Sequence, residues 1–81
     1  MRLVIQAGLV SIEGKFAEYE KITEVMEKLS DSMYNEVGLV NDTDQEEDLT
    51  DISFPYDREE FTIKQVREFY RECKRLLWII N

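Results

Sequence analysis

The sequence predicts a mainly α domain, with two long amphipathic helices at about 15–37 and 62–80 joined by an acidic loop. Three observations predict it. Apolar residues recur at helical spacing in both segments, each segment carries an end signal, and residues 41–51 between them read NDTDQEEDLTD, six acids with no base. The alternative is an α+β arrangement with short strands at 3–12 and 49–54. Either way 81 residues form one small domain, with 41–51 as an acidic flexible loop. A chain of this length buries roughly 60–65% of the surface its unfolded form exposes.

Residues 3–12 are the ambiguous part. Neither alternate set, Leu3, Ile5, Ala7 and Leu9 or Val4, Gln6, Gly8 and Val10, is cleanly polar, so a single strand here needs both faces covered. As a helix, Ile5, Leu9 and Ile12 run in phase with Phe16 and Tyr19, which extends the first helix back to residue 3. The β-branched density of Val4, Ile5, Val10 and Ile12 argues for strand. From residue 15 the stripe Phe16, Tyr19, Ile22, Met26, Leu29 and Met33 is helical. Gly38 suits the left-handed position after the helix, with Leu39 packing back on Tyr34.

Leu49 to Phe54 alternates well enough for a short strand that Pro55 ends. The last helix is the best defined. Thr62 and Gln65 form a capping box, Phe61 and Val66 a hydrophobic staple. Ile63, Val66, Phe69, Tyr70, Cys73, Leu76, Leu77 and Ile80 then hold one apolar face.

Composition excludes several chemistries. Eighteen acids against ten bases and no histidine give a net charge of −8. Without histidine there is no imidazole base or shuttle and no His-ligated metal. The single cysteine, Cys73, precludes an internal disulfide and suits a reducing, cytoplasmic setting. Cys73 lies mid-stripe as a small core group. No Gly-rich phosphate loop or nucleophile elbow is present, and so small a helical body lacks a substrate cleft. The chain is expected to be no enzyme, with no cofactor and no metal. Asp42, Asp44, Glu46, Asp48 and Thr50 follow an EF-hand-like alternation, but Glu47 replaces its glycine and Ser53 its closing glutamate. The acidic balance also disfavours direct nucleic-acid or anionic-membrane binding.

Three constellations remain. On a helical wheel Glu13, Glu20, Glu24, Glu27 and Asp31 fall in one sector, a carboxylate row about 27 Å long. The loop adds Asp42, Asp44, Glu46, Glu47, Asp48 and Asp51. Charge is segregated: residues 1–61 carry −11, residues 62–81 carry +3. Finally, Leu77, Trp78 and Ile79 at one terminus and Leu3 and Val10 at the other form an apolar end for a partner or a second copy, unless a third layer covers it. The expectation is a protein-binding module, an inhibitor or adaptor whose carboxylates dock on a basic site of a larger protein. In its sharpest form it is a DNA mimic on a nucleic-acid-binding enzyme, by compositional analogy with small acidic proteins of phage and mobile elements. The competing expectation is a homo-oligomer assembled through the apolar end, its acids serving solubility.

Overall fold

The first fourteen residues form a hairpin. Arg2–Gln6 (β1) and Leu9–Gly14 (β2) pair antiparallel, Gln6 opposite Leu9 and Leu3 opposite Ile12. Ala7 and Gly8 make the turn, and Gly8 takes φ +76°, which glycine adopts without a Cβ penalty. The computed structural model describes residues 1–80, and the side chains of residues 1–78. It overturns the mainly helical expectation, and residues 3–12 contain no helix. A two-residue turn reverses parity: Leu3 and Ile5 share a face with Val10 and Ile12. This switch is why neither alternate set looked polar throughout. Helical phase across residues 5–19 was coincidence, and the β-branched residues follow their strand preference.

The helical layer starts late and ends early. Phe16–Glu18 is a 3₁₀ turn, Tyr19–Ser32 is α1, and neither reaches Gly38. Tyr34 takes the left-handed position at φ +53°. Its N–H reaches Asp31 O at 3.2 Å and the Asn35 N–H reaches Ser30 O at 3.1 Å, the two bonds of a Schellman ending. The Asn35 side-chain amide also donates to Ser30 Oγ at 2.9 Å. This local bonding puts the left-handed residue of the ending four positions before the glycine that the composition favoured.

Val40–Asp44 (β3) and Leu49–Pro55 (β4) form a second hairpin, so the acidic segment between the helices is largely strand. The turn occupies only residues 45–48. Strand order is β1-β2-β4-β3, all antiparallel. Ile63–Ile80 is α2. Its capping box is present: Gln65 N–H donates to Thr62 Oγ1 at 3.2 Å, and Thr62 N–H to Gln65 Oε1 at 2.9 Å.

Both helices cover one face of the sheet. Val10, Ile12, Ile52 and Phe54 form one core with Ile22, Val25, Met26 and Leu29 of α1 and Val66, Tyr70, Cys73 and Leu77 of α2. Gly14 lies where the layers touch. A Cβ there would stand 2.7 Å from Ile22 Cδ1 and 2.8 Å from Glu18 Oε1. Among the described residues no helix is long and apolar enough to cross a membrane.

Candidate functional site

The sheet has a second face, which no helix covers. Strand register decides what it carries. Arg2 is opposite Glu13, Glu13 opposite Asp51, and Asp51 opposite Asp42, a line across all four strands. Neighbouring strands lie about 4.8 Å apart, so the three carboxylates span about 10 Å. Arg2 forms an ion pair with Glu13 at 2.8 Å at one end, and no cation reaches Asp51 or Asp42 among the described residues. Beside the line, Asp44 and Glu47 help wall a recess of about 310 Å³. Partial burial pushes the Asp51 carboxyl above its ordinary range, and the charges of Glu13 and Asp42 push it the same way. Like charges directly opposite on a sheet oppose folding. The row therefore costs the fold stability.

The predicted acidic residues divide between surfaces. Glu20, Glu24, Glu27 and Asp31 lie exposed on α1, a row of about 16 Å. Glu13 is not among them: it belongs to β2 and to the sheet face. Asp42 and Asp51 join it there. Asp44 and Asp48 are engaged in local bonding. Asp44 Oδ1 accepts the amides of Glu46 and Glu47 at 3.1 and 3.3 Å, shaping the turn. Asp48 Oδ1 accepts the Phe16 amide at 3.0 Å and ties the turn to the start of the helical layer. Glu46 and Glu47 remain at the tip with free carboxylates among the described residues. No group of three or more acid or cysteine side chains among the described residues is placed to hold a metal ion.

Nearby Glu18 has a structural role. It accepts the Lys15 amide at 3.0 Å and the Met1 amine at 3.0 and 3.2 Å. The Lys15 amide bond and then the Met1 amine hold its carboxyl below the ordinary range.

Among the described residues, the apolar side chains of the two termini do not form one exposed end. Val10 and Leu77 are buried in the shared core, Leu3 is half-buried against it, and Trp78 is 46% exposed. The side chain of Ile79 lies outside the described residues. A third layer, the sheet, covers what two helices alone would have left open. Cys73 is buried, its sulfur 4.0 Å from Ser32 Oγ, and burial pushes the thiol up, away from the thiolate a nucleophile needs.

Composition did not reveal one grouping around Trp78. Lys21 Nζ of α1 stands 4.7 Å from the indole centroid and Lys74 Nζ 5.9 Å from it. Arg71, Lys74, Arg75 and Trp78 line a shallow recess of about 460 Å³. The signal was present in α2: Lys64, Arg67, Arg71, Lys74 and Trp78 are spaced 3, 4, 3 and 4 apart, one stripe beside the apolar face.

Comparison of the chain with family models, curated proteins and solved structures finds no match, so its function is argued from these surfaces alone.

Proposed function

We propose that the chain is a non-enzymatic protein-binding module, an inhibitor or adaptor whose carboxylate-bearing sheet face docks on a basic site of a larger protein. One observation carries the reading. Glu13, Asp51 and Asp42 are held in line on an uncovered face at a cost to the fold. Departures from local stability rules that have no structural return concentrate at functional surfaces. A basic partner converts the repulsion into attraction. Three carboxylates in about 10 Å, with Glu13 at one end paired to Arg2, approach the spacing of phosphates along one nucleic-acid strand, about one per 3.4 Å, and the acids of the 45–48 turn add to it. In its sharpest form the partner site is therefore a nucleic-acid-binding groove. The exposed carboxylates of α1 lie on the helical layer and serve long-range steering. A cytoplasmic setting, where Cys73 stays reduced, accompanies the reading.

The test is a variant with Glu13→Lys, Asp42→Lys and Asp51→Lys together. Bait carrying the native face should capture a basic protein from lysate of the source cell, release it as salt rises, and lose it to added duplex DNA. With the identified partner, the triple variant should bind at least about a hundredfold more weakly, while far-UV circular dichroism stays unchanged. Undiminished binding by the folded triple variant would sink the proposal.

A further inference from the structure

The basic stripe of α2 is not neutralised by the acidic body that surrounds it. Among the described residues the chain forms three ion pairs, Met1–Glu18, Arg2–Glu13 and Arg75–Glu72, and none joins α2 to the rest of the protein. Lys64, Arg67, Arg71 and Lys74 have no carboxylate partner there, although acids outnumber bases by eight. Lys21 of α1 reaches across to α2, and it adds positive charge to the recess at Trp78 instead of drawing on it. Glu72 holds Arg75, leaving Arg71 and Lys74 as the recess's cations without a carboxylate among the described residues, with Lys74 Nζ lying over the Tyr70 ring at 4.9 Å.

The chain itself carries the complementary group. At the tip of the β3–β4 turn Glu46 and Glu47 are exposed side by side, and the turn's other acids, Asp44 and Asp48, are occupied in shaping and anchoring it. Two carboxylates of the turn thus match in number and sign the two cations of the recess that meet no carboxylate among the described residues. Both features belong to the end of the molecule where β2 passes into α1. The turn is tied there through Phe16, and the recess through Lys21, five residues on and about 8–10 Å along the helical path.

We propose that the recess formed by Arg71, Lys74 and Trp78 receives Glu46 and Glu47 of a second copy of this chain, in a two-fold dimer. With turn and recess at one end, a two-fold axis makes both contacts at once and closes the assembly. The recess on α2 is separate from the sheet-face row, whereas Glu47 of the turn also borders that row, and the dimer goes beyond the protein-binding reading above. Each copy carries −8, so the bodies repel at long range. At about 0.1 M salt the Debye length is about 10 Å, which screens the bodies while contact pairs persist. Association is therefore weakest at very low and at high salt.

The experiment is a charge swap on the full chain, read by sedimentation and by the fluorescence of Trp78, the sole tryptophan. The first variant is Arg71→Glu with Lys74→Glu, the second Glu46→Lys with Glu47→Lys. At about 0.1 M salt the native chain should dimerise with concentration and shift Trp78 emission. Each variant alone should self-associate at least about tenfold more weakly, and their equal mixture should recover the dimer. Circular dichroism checks that both variants fold. A native chain that stays monomeric, or a mixture of folded variants that does not recover the dimer, overturns the proposal. So does quenching of Trp78 by a single-stranded oligonucleotide in a monomeric native chain, which assigns the recess to nucleic acid. Arg71→Glu with Lys74→Glu leaves every acid of the sheet-face reading in place, whereas Glu46→Lys with Glu47→Lys removes the turn acids that add to it. Loss of the dimer in the first variant with partner binding kept therefore separates the two proposals.

Discussion

The two faces of the central strands use the same backbone ladder and opposite chemistry. On one parity β2 and β4 present Val10, Ile12, Ile52 and Phe54 to two helices. On the other they present Glu13, Ser11, Asp51 and Ser53 to solvent or to each other. The covered face carries the stability that the open face gives up. A sheet that must hold a repulsive row needs its opposite side fully packed, and a partner can then use the open side without entering the core.

The contrast breaks most severely through the covered face. Phe54 is fully buried at the centre of the core. Phe54→Ala should cost about 3–5 kcal/mol, a large share of the roughly 4–12 kcal/mol expected for a domain this size. Urea unfolding measures it, and a loss below about 1 kcal/mol would mean that the core is not centred there.

A smaller effect comes from a polar flaw in the packed layer. Thr50 is 1% exposed, and its hydroxyl has no hydrogen-bond partner among the described residues. Register places it between Gly14 and Thr43, on the helix side. Thr50→Val keeps the shape and removes the unsatisfied group, so it should raise stability by about 1 kcal/mol. A lower melting temperature would show that the hydroxyl is bonded in solution.

The smallest effect belongs to the open face. Asp51→Asn should stabilise the protein by about 0.2–1 kcal/mol at neutral pH. Because the Asp51 carboxyl is raised in the fold, its penalty is complete above the folded value and is relieved as pH falls below the unfolded one. The advantage of the variant should therefore fade between neutral pH and about pH 4. Glu18 and Glu72 have the opposite sign: both are lowered in the fold, so their stabilisation is lost as pH falls. Comparing variant with native at each pH isolates Asp51, and a pH-independent difference would mean that charge is not the cause.

Legibility in the sequence tracked the range of the interaction. The capping box at Thr62 and Gln65 and the apolar face of α2 are local, and the chain displays them within a few residues. The N-terminal hairpin was hidden because its parity changes at Ala7-Gly8, which makes two half-buried strands resemble one continuous apolar run. The end of α1 was hidden because Tyr34 occupies a position where glycine is commoner, compensated by Asn35 bonding back to Ser30. Among the acids, the α1 row could be read from spacing alone. The sheet-face row could not, because Glu13 and Asp51 are 38 positions apart in sequence and become neighbours only through β2–β4 pairing.

By itself the sequence determined the charge, its segregation into a −11 body and a +3 helix, the absence of histidine chemistry and the course of α2. Those properties follow from composition and from contacts within one or two helical turns. Tertiary structure alone decided which carboxylates stand together, which face of the sheet stays open and that Lys64, Arg67, Arg71 and Lys74 of α2 meet no carboxylate among the described residues. Each depends on strand register and layer packing, and a shift of one residue in register moves every side chain of a strand to the other face.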